Sequence, residues 1–190
     1  MRVVGGYFRN LTLKYPKDKL RPTTEKVRGA MFNMITANFP DKLKHAKVCD
    51  IFAGSGAFGI EALSRGAQKA IFIENNKQTL KTLSENLKQL SKITNHHQLD
   101  LEIKVIPTDV QKALDLLKDE QFDIIFLDPP YNQQLIQPVI NKIAQYNLLT
   151  ANGIIVIEHH RLESFLIPEN LSIFKQKKYH DTIITIIKKE

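Results

Sequence analysis

Five short, nearly unbroken apolar runs constrain this chain more than any other feature: Val48 to Phe52, Ala70 to Ile73, Ile103 to Ile106, Phe122 to Leu127 and Ile154 to Ile157. A strand with one wet face alternates apolar and polar residues. A continuous run means that both faces are covered, as in a parallel sheet flanked by helices. Between the runs, Ala57 to Ser64, Lys77 to Leu90, Val110 to Leu117 and Leu135 to Tyr146 carry apolar residues at helical spacing; Leu80, Leu83, Leu87 and Leu90 share one face. The alternation predicts a doubly wound α/β fold with right-handed crossovers. The tail departs from it. Ser172 to Lys178 and Thr182 to Lys188 are rich in β-formers and too close together for a crossover helix, so they predict an antiparallel hairpin on the sheet edge.

Ahead of this pattern lies a basic segment. Residues 1–47 hold eleven Lys or Arg against three acids, whereas the remainder is close to neutral, so the formal charge of +7 originates here. The chain divides on this reading into a basic extension (1–47) and a body (48–190). A basic extension suits a polyanion such as RNA, and a merely solvated surface is the plainer alternative. Val3 to Leu13 alternates around Gly5-Gly6 as a short hairpin would. Arg21-Pro22-Thr23-Thr24 then opens a helix with Thr23 or Thr24 as N-cap and a stripe of Val27, Ala30, Met31, Met34 and Ile35. Lys26 and Arg28 fall off that stripe, which predicts that both face a ligand. No window approaches the roughly 20 apolar residues of a membrane span, and the opening residues lack a signal peptide's apolar stretch. A cytoplasmic protein is expected. The single cysteine, Cys49, lies inside an apolar run, and no Cys/His spacing reads as a metal site.

Asp128-Pro129-Pro130-Tyr131 ends the fourth run. Two prolines lack N–H donors and fix φ near −65°, so the strand must stop in a stiff turn. That turn holds a carboxylate, carbonyls and an aromatic ring together. Such acceptors beside a stacking surface suit a flat heterocycle with an exocyclic NH2. The plainer alternative is a loop in which Asp128 caps the next helix.

Asp50 to Gly59 ends the first run and opens the first crossover helix, with Gly54, Gly56 and Gly59 matching G-x-G-x-x-G. Two nucleotide cofactors fit such a loop, on the expectation that the ligand lies against bare backbone. A dinucleotide brings a pyrophosphate that needs donors, whereas S-adenosylmethionine (SAM) brings a sulfonium and an amino group that tolerate acids. Asp50 beneath the loop favours the cation. Glu74 is placed for ribose hydroxyls, and Asp109, with Thr108 beside it, for an adenine amino group. Four acids, Asp50, Glu74, Asp109 and Asp128, thus end successive strands at the edge where open α/β sheets bind ligands. Glu158 closes the fifth run and could join them or be a solvated strand end.

Leu20 to Arg28, Met31-Phe32-Asn33, Asp50 to Gly59 continuing into Glu61-Ala62-Leu63-Ser64-Arg65-Gly66-Ala67, and Asp128 to Tyr131 together resemble the bacterial 16S ribosomal RNA guanine-N2 methyltransferase family of the RsmD type, over essentially the whole chain. The resemblance implies a seven-stranded SAM-dependent methyltransferase fold. It implies SAM held by Asp50, Phe52, Ala53, Gly54, Ser55, Gly56, Glu74, Asn75, Thr108, Asp109 and Asp128, and catalysis at Asp128, Pro129, Pro130 and Tyr131. RNA contacts from Arg9, Arg21, Thr23, Lys26 and Arg28 follow, with guanine 966 of 16S rRNA as the expected target, in the small subunit or its assembly intermediate. The chain departs from the family pattern in having Asn10 and His180 where glycine is usual, Thr12 where a basic residue is usual, and Gly29 where an acid is usual. Rival readings are a methyltransferase of adenine N6 or another exocyclic amine in DNA or RNA, a nicotinamide oxidoreductase using the glycine loop, and a nonenzymatic RNA-binding factor.

Overall fold

The computed structural model describes residues 1–15, 25–96, 98–130 and 133–190. Its elements run α1 (Glu25–Asn38), β1 (Lys47–Ile51), α2 (Ala57–Ser64), β2 (Lys69–Ile73), α3 (Lys77–His96), β3 (Glu102–Ile106), α4 (Val110–Leu116), β4 (Phe122–Leu127), α5 (Ile136–Gln145), β5 (Leu149–His160), β6 (Leu171–Tyr179) and β7 (Thr182–Lys189). One seven-stranded sheet has the order β3-β2-β1-β4-β5-β7-β6. The first five strands are parallel; β7 pairs antiparallel to both β5 and β6. The five apolar runs and the terminal hairpin therefore take the places their composition predicts. Strand β5 begins earlier than its apolar run, because Leu149 already pairs with Phe122 across a register shift that absorbs Ala151-Asn152-Gly153.

Alternate strand residues supply two cores. Val48, Phe72, Phe126, Val156 and Ile184 face α1, α2 and α3, while Ile51, Ile73, Leu127, Ile157 and Ile187 face α4 and α5. Strands β1, β2, β4 and the apolar part of β5 are thus buried on both faces, which is why their runs are nearly unbroken; the edge strand β3 is half-exposed and alternates, with Lys104 exposed between Ile103 and Val105.

The basic extension is not a separate body. Val3, Phe8, Leu13, Met31, Phe32 and Ile35 join the first core, and Phe32 meets Phe126 with ring centroids 5.4 Å apart. The first residues fold back on themselves through one antiparallel bridge, Arg2 to Thr12, flanked by bonds from Val3 N–H to Leu11 O and from Asn10 N–H to Val3 O. The expected hairpin exists in this reduced form. The helix cap expected at Thr23 or Thr24 lies outside the described residues.

Arg28 corrects the sequence reading. It is fully buried, in register with Met31, Phe32 and Ile35 on the inner face of α1, and pairs with the equally buried Glu61 of α2 at 3.4 Å. It also donates to Arg2 O. Arg28 therefore cannot face a ligand: it ties the extension to the body. The signal lay in α2, whose eight residues are all buried with Glu61 as its one charge. A buried carboxylate demands a cation, and Arg28 with Arg65 (2.8 Å) answers that demand.

Candidate active site

The carboxyl ends of β1, β2, β3, β4 and β5, the N-terminus of α1 and the β6–β7 turn enclose a cavity of about 1130 Å³. Phe52, Ala53, Gly54, Ser55, Glu74, Asn75, Thr108, Asp109, Asp128, Pro129 and Pro130 line it, as does Lys26. The side-chain placement of Tyr131, with that of Arg21 and Thr23, lies outside the described residues.

The loop between β1 and α2 is tightly wound. Phe52 has φ 63°, a conformation that a bulky residue rarely adopts, and Gly54 follows at φ 58°. Strain of this kind collects at functional sites. The glycines divide their tasks. Gly54 lines the cavity, but Gly56 and Gly59 do not. A Cβ on Gly56 (φ 82°) would lie 2.5 Å from Leu83 Cδ1, and one on Gly59 would lie 2.3 Å from Phe72 Cε1. These two are small so that α2 can sit on the sheet and α3, which corrects the expectation that a ligand requires all three.

The same loop bears on the choice between the two cofactors. Gly54 N–H donates to Glu74 Oε2 at 2.9 Å, Gly56 N–H to Ala53 O at 2.7 Å, and Gly59 N–H to Asp50 Oδ2 at 2.9 Å. All three glycine donors that a pyrophosphate would use are taken by the protein itself. Among the described lining residues there are five acids, Glu74, Asp109, Asp128, Glu158 and Asp181, against Lys26 and Lys178. Such a wall repels a dinucleotide and fits a sulfonium with an amino group.

Each acid is held differently. Glu74, 8% exposed, also accepts the N–H groups of Asn75 and Asn76 at 2.9 Å, so it fixes the loop and the start of α3 together. Asp109 is exposed and caps α4 by accepting Gln111 N–H at 2.8 Å. Asp50 is fully buried behind the loop and does not line the cavity; its Oδ1 has no hydrogen-bond partner. Burial pushes its carboxyl well above the usual range, the Gly59 N–H partly opposes this, and the charges of Asp128 and Glu74 add to it. Asp50 therefore does not contact a ligand in this cavity, which corrects its expected place among the cofactor-binding residues.

Three features escaped the sequence. Tyr15 lines the cavity, and its hydroxyl is made less acidic by burial and by the charge of Asp128. The period-two series Leu11, Leu13, Tyr15 was its available signal. Asn86, fully buried on α3, clamps this segment to the glycine loop: its Oδ1 accepts Lys14 N–H at 2.8 Å, and its Nδ2 donates to Ser55 O at 2.8 Å. The β6–β7 turn, Lys178 to Thr182, closes the cavity's far side. Arg9, by contrast, is exposed beside Phe8 and Tyr7, whose N–H groups bond Ser64 at the far end of α2 from the glycine loop.

The sequence profile described as Conserved hypothetical protein 95 matches residues 1–188. The chain belongs to this family, that of the RsmD methyltransferases. Members similar to it include Ribosomal RNA small subunit methyltransferase D of Escherichia coli, 33% identical over 93% of this chain and 84% of that protein. The enzyme of the same name from Buchnera aphidicola is 35% identical over 92% of this chain and 86% of its own. Among solved structures, the candidate methyltransferase yhhF of Escherichia coli superposes with a TM-score of 0.84 at 30% identity, covering 100% of this chain and 98% of that one. The RsmD family fold is that of SAM-dependent methyltransferases.

Proposed function

We propose that this protein transfers a methyl group from SAM to the exocyclic N2 of one guanine in 16S ribosomal RNA, with guanine 966 as the expected position. The observation that carries the reading is the Asp128-Pro129-Pro130 corner facing the same acid-lined cavity as the strained glycine loop. The names of the relatives supply the ribosomal RNA and the small subunit as partner; the cytoplasm follows from that partner.

SAM, when bound, supplies an electrophilic methyl group on a positively charged sulfur. Glu74 would hold the ribose hydroxyls, Asp109 and Thr108 the adenine edge, and the Phe52 to Ser55 backbone the rest, with Asn75 beside Glu74. Asp50 adds negative potential behind the loop.

Guanine N2 is a weak nucleophile because its lone pair is delocalised into the ring. Asp128 and the Pro129 carbonyl accept its two hydrogens, which draws the nitrogen toward tetrahedral geometry and aims the lone pair at the methyl carbon. On receiving the methyl group the nitrogen would become cationic and release one proton, for which Asp128 would serve as the base. Pro129 and Pro130 keep the corner from relaxing; orientation of this kind supplies about 7–11 kcal/mol of barrier lowering. Tyr131 would stack on a base swung out of its RNA context. Lys26 at the cavity mouth and Arg9 on the same extension would neutralise RNA phosphates.

Asp128→Ala tests the assignment. It is expected still to bind SAM, more weakly for the loss of one wall carboxylate, while methyl incorporation into small subunits at saturating SAM falls by at least about 100-fold. Near-normal turnover would remove Asp128 from the mechanism.

A further inference from the structure

We propose that Glu158 is the specificity-determining residue that restricts this site to guanine, by accepting the ring N1–H that adjoins the transferred amine. The inference rests on the guanine-N2 reading and deepens it.

Strands β4 and β5 are parallel neighbours in which Leu127 pairs with Ile157. Asp128, just past the end of β4, and Glu158 are therefore the residues that follow the last paired rung of two strands about 4.8 Å apart. Leu127 and Ile157 both face α4 and α5, so the residues that follow turn to the α1 face. Glu158 does so, because it pairs with Ile184, which packs in the same core as Phe126 and Val156. It is only 3% exposed, yet it lines the cavity beside Asp128 and Pro129. The corner that grips an amine thus has a second carboxylate at its side.

What that carboxylate can read follows from the bases. In adenine the exocyclic amine adjoins N1, and in cytosine it adjoins N3; both ring nitrogens are lone-pair acceptors that a carboxylate repels. Guanine alone offers a ring N–H next to its amine. Asp128 and the Pro129 carbonyl take the two amine hydrogens, and Glu158 takes N1–H. A diproline corner by itself serves any exocyclic amine; the acid on the neighbouring strand removes adenine and cytosine.

The test uses small subunits reconstituted with 16S rRNA carrying either guanine or 2-aminopurine at the methylated position. 2-Aminopurine keeps the C2 amine but presents a bare acceptor at N1. The wild-type protein is expected to favour guanine by at least about 100-fold in kcat/KM. With SAM kept saturating, Glu158→Gln, whose amide can donate to a bare N1, is expected to reduce that ratio at least about tenfold; Glu158→Ala should reduce it as well. Equal use of both bases by the wild type would overturn the inference and leave the N2 reading standing, as would variants that slow both substrates alike. Absence of methylation on guanine itself would overturn the N2 reading and the inference with it.

Discussion

Arg28 and Glu61 form an ion pair at 3.4 Å with neither side chain exposed. Burial lowers the Arg28 pKa, and the Glu61 carboxylate pulls it back. Glu61 also accepts the N–H groups of Val4 and Gly5 at 2.8 and 2.9 Å, so one carboxylate gathers the first residues, α1 and α2. Removing one partner of a buried pair costs about 3–5 kcal/mol, because the other charge stays uncompensated. Because Arg65 and the two backbone N–H groups still satisfy Glu61, Arg28→Met is predicted to lose less than that, about 1–3 kcal/mol in urea titrations. High salt should change the wild-type value little, since a dry pair is poorly screened.

Asp50 predicts a linkage between protons and cofactor. Its carboxyl pKa in the folded chain lies above the unfolded value, chiefly through burial. As pH rises above the unfolded value near 3.9, the unfolded chain gives up this proton first, so Asp50 contributes stability at low pH that is lost as pH rises toward its folded pKa. A cation in the cavity favours the ionised form. SAM binding should therefore release a proton, visible as a buffer-dependent binding enthalpy, and affinity should rise with pH across this range. Asp50→Asn can still accept the Gly59 N–H. It is predicted to abolish the proton release, weaken SAM about tenfold, and raise the stability of the ligand-free protein at neutral pH.

His180 occupies the β6–β7 turn at φ 54°, and Asn10 the N-terminal turn at φ 69°. At both positions the family pattern has glycine. Glycine holds such a left-handed backbone without steric cost, whereas a Cβ there costs about 1 kcal/mol. His180→Gly is predicted to stabilise the protein by about 1 kcal/mol, raising Tm by roughly 2–4 °C in calorimetry.

The sheet was legible because burial on both faces leaves an unbroken apolar run, and the hairpin because its connection is too short for a helix. The cavity-facing acids were legible from their positions at strand ends. Arg28 was not, since a basic residue on a helix is ordinarily solvated; only the solitary acid in α2 pointed to it. Gly56 and Gly59 matched a ligand-binding pattern but serve packing against Leu83 and Phe72. Their contacts come from distant strands and helices, which spacing along the chain does not encode. Tyr15 and the turn from Lys178 to Thr182 reach the cavity only because the extension and the hairpin fold over the same sheet edge.

The methylated nucleoside in the product identifies the acceptor atom. Small subunits from cells lacking the protein would be incubated with it and methyl-deuterated SAM, then digested to nucleosides for mass spectrometry. N2-methylguanosine carrying one labelled methyl per subunit, absent with Asp128→Ala, is the predicted result; label in N6-methyladenosine, or none in the wild-type reaction, would contradict it.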